Sequence, residues 1–292
     1  MSIDILQDRI RKSKNPSMVD LALNSTDLPA HLLADEGSRA AAYGRFCREL
    51  LEKLKGTVPA VRVGFTAFAV LGPDGLSEMI RVLKLAGDLG YYVALEAPYI
   101  LSPMMAAAVA ESVFSADAIY PCDGIIIDSY AGTDVLKPFL DYVRQDKRDI
   151  FPVVRTSNKT APELQDLLTG SRLVHAAAAD LINRFGSDNA GKFGYARVGV
   201  VAGANSPESL RNLRSKYPRL FLLLDDIDYS GCNAKICANA FDKFGHGAVV
   251  CAGPTVTAAW KNGESDGRDY LEQALSAAER MKKNLTRYVT VM

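Results

Sequence analysis

Leu220-Phe221-Leu222-Leu223-Leu224-Asp225-Asp226-Ile227 sets five apolar residues in a row and closes them with two aspartates. A strand with one face in water alternates apolar and polar residues, whereas a strand covered on both faces has no polar side to show. This run therefore predicts a strand buried on two sides. Gly124 to Tyr130, GIIIDSY, has the same form. Six more short runs complete a set of eight: Met18 to Leu23, Val61 to Phe65, Tyr91 to Glu96, Ile150 to Ser157, Val198 to Ala204 and Gly247 to Gly253. Stretches of helical period separate them. Strict strand-helix alternation forces parallel pairing through crossovers, and eight such units predict an α/β fold, a single (β/α)8 TIM barrel over residues 1–292. Ser206-Pro207-Glu208 offers an N-cap, a first-turn proline and a first-turn acid, and Asp266 to Tyr288 reads as a long amphipathic final helix. No linker or low-complexity segment divides the chain.

Composition narrows the function classes. The chain has 292 residues, 48% hydrophobic and 23% charged, enough for one large core, and no run of 18 apolar residues that would span a bilayer. Lys plus Arg balances Asp plus Glu at 34 each, so no net field draws the protein to nucleic acid or to an anionic membrane. Neither is expected as a partner. The N-terminal MSIDILQDRIRKSKNPSMV lacks the apolar core of a signal peptide, and a cytoplasmic protein is expected. Cys47, Cys122, Cys232, Cys237 and Cys251 are odd in number and lack CxxC spacing, against both a disulfide framework and a structural zinc site. The glycine spacing in VGVVAGAN is not a dinucleotide fingerprint, and no cofactor is expected. His31, His175 and His246 lie far apart and read as structural. Asp226-x-Asp228-x-Ser230-Gly231 matches the opening half of a calcium loop, but Cys237 holds the twelfth position where a bidentate Glu is required. No metal site is expected, and Asp226 and Asp228 remain only weak candidates.

Six segments carry a resemblance that spans nearly the whole chain: KNPSMVDLALNSTDLP, PAVRVGFTAFAVLGPDGL, DSYAGTDVLKPF, FPVVRTSNKTAPELQDL, VGVVAGANSPESLRNLR and GHGAVVCAGPTVTAAWK. Together they resemble the bacterial long-chain orotidine 5′-phosphate decarboxylases, with FPVVRTSNKTAPELQDL similar to that family's sixth-strand region. The resemblance implies a TIM barrel, a site at the C-terminal ends of the strands, a twofold dimer and a place in pyrimidine biosynthesis.

The departures from the family pattern fall on ligand-facing positions. Where the family has the Asp of Gly-Leu-Asp-Pro-Arg, this chain has Ala22; where it has a second-strand Lys, this chain has Arg62. A guanidinium keeps the charge and is a poor proton donor. The family's Asp-x-Lys-x-x-Asp row reads Glu96, Pro98 and Leu101, so the Lys that protonates the carbanion left by carbon dioxide is a proline. Loss of a positioned general acid lowers a rate by roughly 10²–10⁴. The phosphate loop reads Asp225-Asp226-Ile227-Asp228-Tyr229-Ser230-Gly231-Cys232, with carboxylates where glycine amides would cradle an anion, and Pro254 stands at the phosphate Arg. Retained are Thr156-Ser157-Asn158, whose Ser meets the pyrimidine in the family, together with Tyr130 and Gly132. Thr-Ser-Asn after a strand is also ordinary turn and cap chemistry.

Three functions fit these residues. One is a decarboxylation-incompetent pseudoenzyme or repurposed ligand-binding barrel linked to pyrimidine metabolism, with Arg62 and Glu96 as catalytic remnants. The second is orotidine 5′-phosphate decarboxylase or another lyase working through a rearranged site. The third is a structural subunit. A small-molecule ligand, and either a homodimer or a heterodimer with an active homologue, are the expected partners.

Overall fold

In the computed structural model each of the eight apolar runs supplies one strand: β1 (Ser17–Asp20), β2 (Ala60–Gly64), β3 (Tyr92–Glu96), β4 (Gly124–Asp128), β5 (Asp149–Arg155), β6 (Val200–Gly203), β7 (Leu222–Asp225) and β8 (Ala248–Ala252). The structure describes residues 2–21, 28–97, 99–145, 148–225, 227, 232–263 and 265–292. Each strand pairs in parallel with the next, and β8 returns to β1, closing the (β/α)8 barrel. FPVVRTSN, likened through the family resemblance to a sixth-strand region, enters β5, in keeping with its fifth place among the eight runs; Val200–Gly203 is the sixth strand. Several strands end earlier than their apolar runs: β1 stops at Asp20, β4 at Asp128, β5 at Arg155 and β7 at Asp225. Hydropathy continues past the point where neighbouring chains diverge into loops, so it does not mark where pairing ends.

Local signals set the helices. Ser206 caps Pro207–Lys216 by accepting from the Ser209 amide, as its sequence announces. The final helix is Tyr270–Thr286, shorter at both ends than Asp266 to Tyr288, and its Tyr270 ring stacks on Phe46 at 5.2 Å. Helix Ser2–Ser13 lies across the strand starts. Its Ile3, Leu6 and Ile10 are buried, and Gln7 Oε1 accepts from the Gly247 amide, just before β8, at 3.0 Å. With that end covered, the C-terminal end of the barrel is where a cavity opens.

The barrel interior is filled from below by aromatic rings. Phe151 on β5 meets Phe221 edge-on at 6.3 Å, and the Tyr92 hydroxyl donates to Asp149 Oδ2 at 2.7 Å. Two glycines make the space for them. A Cβ on Gly124 would stand 2.5 Å from the Tyr92 hydroxyl and 2.9 Å from Phe151, and one on Gly199 would stand 2.7 Å from the Phe221 carbonyl. Gly124→Ala should therefore overpack the lower barrel and lower unfolding stability by about 1–3 kcal/mol. Urea denaturation followed by near-ultraviolet circular dichroism measures this, and an unchanged midpoint would refute the packing account.

Candidate functional site

Alternation along a strand sends every second side chain into the barrel, and at the C-terminal ends those side chains are charged. Asp20 closes β1 and Arg62 lies on β2, paired in register with each other. Glu96 closes β3 and Asp225 closes β7. Arg62 Nε donates to Asp20 Oδ2 at 2.9 Å, Nη2 donates to the same oxygen, and Nη1 reaches across the barrel to Asp225 Oδ1. Glu96 Oε2 stands 3.8 Å from Nε. The Arg62 and Asp20 side chains are almost fully buried, Asp225 is mostly so, and Glu96 keeps 46% of its side-chain surface accessible.

Arg62, Glu96 and Asp225 border a cavity of about 450 Å³ at the barrel mouth, within the size range of small-molecule sites. Ile126, Val153 and Val201 are apolar members of its lining; Arg62, Glu96, Asp128, Asp225, Thr66, Thr156 and Tyr99 are its polar ones. The mouth is thus open, not filled by side chains. Among the described lining residues carboxylates outnumber cations three to one, and no lysine is present.

Burial alone would lower the Arg62 pKa, but Asp20, Cys251 and Asp225 more than offset it and hold the guanidinium well above its ordinary value. It stays charged and does not give up a proton. For Glu96 desolvation comes first and raises the carboxyl; Arg62 pulls it down, and Asp20 and Asp225 push it further up.

The retained loop residues are placed differently from one another. Thr156 lines the cavity with Arg62 and Glu96. Its amide donates to Gln165 Oε1 at 2.9 Å, and its hydroxyl donates to Asn158 Oδ1. Asn158 turns onto its own loop, donating to Thr160 Oγ1 at 3.0 Å. Ser157 is buried behind the cavity: its hydroxyl donates to the Asp225 carbonyl at 2.5 Å and accepts from the Ala204 amide at 3.2 Å, tying β5, β6 and β7 together. The half-exposed Tyr130 donates to the Val154 carbonyl at 2.9 Å. Below this loop Arg155 holds Asp166 through two bonds of 3.1 Å, and His175 Nδ1 lies 3.0 Å from Asp166 Oδ1. The Arg155 hydrogen bond keeps the Asp166 carboxyl below the usual range. His175 is a buried loop anchor, as its sequence position indicates.

Ala22, Pro98, Asp226 and Asp228 lie outside the described residues. Asp225, read in sequence as part of an acidic loop, is a strand-end residue engaged by Arg62. Among the described residues no three His, Cys, Asp or Glu side chains are placed to hold a metal ion, and no helix is long and apolar enough to cross a membrane. The residue that sequence reading missed is Asp20. Its signal was present, a charge inside the otherwise apolar run MVDLAL.

The cluster's energetics are testable. Removing one member of a buried ion pair leaves an uncompensated charge. Arg62→Gln should therefore lower stability by about 3–5 kcal/mol at neutral pH. Glu96 behaves oppositely. A carboxyl whose pKa is higher folded than unfolded takes up a proton on folding, so stability falls as pH rises from the ordinary glutamate value through the raised one. Glu96→Gln should remove that decline, seen as a flatter profile of melting temperature against pH on the alkaline side of the ordinary value; an identical profile would refute it.

No family model matches the chain. It is 30% identical over 256 residues to the orotidine 5′-phosphate decarboxylase of Rhodopirellula baltica, with 85% of each chain covered. To the orotidine 5′-phosphate decarboxylase of Clostridium novyi it is 25% identical over 286 residues, with 98% of each covered. The solved structure of the Leishmania donovani OMP decarboxylase superposes with a TM-score of 0.75 over 99% of both chains at 22% identity, a likeness of fold.

Proposed function

The chain belongs to the orotidine 5′-phosphate decarboxylase family, and from that membership we propose that its barrel mouth is a ligand-binding site that has given up decarboxylation and takes a small cationic ligand. One observation carries this reading. The cation that borders the mouth, Arg62, is already shared by Asp20 and Asp225, while Glu96, Asp128 and Asp225 line the same space. Orotidine 5′-phosphate brings a carboxylate and a phosphate. Such an anion entering this cavity would lose water and meet carboxylates, with no unengaged cation among the described lining residues to offset the cost. The family resemblance adds to this: Pro98 stands at the proton-donating Lys, Leu101 at the second Asp and Pro254 at the phosphate Arg. An ammonium group, by contrast, would find Glu96 half-exposed and only loosely held by Arg62.

A second reading, decarboxylation through a rearranged site using Arg62 and Glu96, is favoured by the name that the 30% identical relative carries. A spectrophotometric assay with orotidine 5′-phosphate separates the two. No conversion above background is expected; turnover that disappears in Glu96→Gln would establish the second reading. Calorimetry adds the binding half. Uridine 5′-phosphate should give no saturable heat, whereas a diamine such as putrescine should bind and weaken in Glu96→Gln. Tight binding of the nucleotide would overturn the proposal.

For assembly we propose a dimer through the strand-top face, either of two copies or with an active homologue. Tyr99, 67% exposed, lines the mouth, Leu101, 63% exposed, follows it in the loop after β3, and twofold pairing is the commonest soluble assembly. Sedimentation should show a dimer at micromolar concentration that Leu101→Asp disperses; a wild-type monomer that also fails to pair with an active homologue would refute it.

A further inference from the structure

The seventh crossover, between β7 and β8, is short of helix among the described residues. Where other crossovers carry helices such as Arg39–Leu54 or Gly72–Asp88, this one has the single turn Ala234–Cys237 followed by the 3-10 turn Ala238–Ala240. A cleft of about 540 Å³ opens there, outside the barrel, between the ends of β7 and β8 and helix Tyr270–Thr286.

Helical spacing gives this cleft two kinds of wall. Ala277, Met281 and Leu285, four residues apart, form a buried apolar stripe that continues onto Ile227 and Ala252. Arg280 lies on the adjacent stripe, and Arg287 follows the helix end; Lys235 faces them from the short seventh turn. Arg280 donates to Ser276 Oγ at 2.8 Å, and among the described residues none of the three cations makes an ion pair. No carboxylate is among the described lining residues. This charge pattern is the reverse of the mouth's.

We propose that this lateral cleft binds a small molecule that joins an apolar ring or chain to one anionic group. The body lies against Ile227, Cys232 and Tyr288, the lining side chains that still show apolar surface, and covering that surface supplies the binding energy; the anion is held by Arg280, Arg287 and Lys235. The volume suits a molecule of two or three fused or linked rings. The site is separate from the mouth and does not depend on the reading given to it.

The probe pair 8-anilinonaphthalene-1-sulfonate and its neutral analogue N-phenyl-1-naphthylamine tests both halves by fluorescence titration. The wild type should bind the sulfonate saturably at one site, and more tightly than the neutral analogue. The double variant Arg280→Ala with Arg287→Ala, whose side chains are exposed and whose fold circular dichroism checks, should weaken the sulfonate about tenfold while leaving the neutral probe unchanged. Added salt should weaken the sulfonate alone in the wild type. Position is read through Cys232, the one cysteine that is not buried and a member of the cleft lining. Saturating sulfonate should slow its alkylation by a maleimide. Equal affinity of the double variant for the sulfonate, or alkylation of Cys232 that proceeds unslowed, would overturn the proposal.

Discussion

A guanidinium buried at the top of a closed barrel must find its charge and its donors satisfied within reach, and the arrangement of the mouth follows from how Arg62 does so. The in-register neighbour on β1 supplies Asp20, and the far wall supplies Asp225. Such a group contributes less through the strength of its attractions than through its completeness, since burying the charges costs about what pairing them returns. It fixes which charges are already engaged. The bond to Asp225 also sets the end of β7, whose carbonyl is held from the other side by Ser157.

The charge distribution that results is sorted by place. Three carboxylates and one engaged arginine border the mouth, while three cations and no carboxylate border the lateral cleft among the described residues. A chain with 34 basic and 34 acidic residues is neutral overall and yet has two cavities whose described linings are of opposite charge. Net charge bounds long-range attraction to large polyanions and says nothing of a small ligand within a few ångströms of a wall.

The fifth strand-helix loop shows how a sequence motif can serve the scaffold as well as a site. Thr156, Gln165 and Asn158 bond to one another and to their own loop, and Arg155 ties the loop's descent to Asp166 and His175. Ser157 joins three strands through one hydroxyl. The bonds of Arg155, Ser157 and His175 satisfy buried polar groups that would otherwise be left without a partner. Within the Thr-Ser-Asn run it is Ser157 that ties neighbouring strands together.

The sequence by itself determined the barrel. Continuous apolar runs such as FLLL and GIII require cover on both faces, and eight of them alternating with helical stretches admit a closed parallel sheet. It also marked Arg62, Glu96 and Thr156 as neighbours of one site, through family resemblance and through their position at strand ends. Strand ends were less legible, because hydropathy persists beyond the last ladder hydrogen bond, as at Asp20 and Asp225. Only the tertiary structure decided what those charges do. Asp20 and Asp225 are 205 positions apart and reach the same guanidinium because barrel closure sets β1 and β7 on either side of β8. The lateral cleft was likewise invisible in sequence: the stripe of Ala277, Met281 and Leu285 predicts a buried helix face, and only the fold sets Ile227, Cys232 and Lys235 opposite it across a cleft. Local pattern fixes which side of an element is apolar, and the packing of distant elements fixes what lies against it.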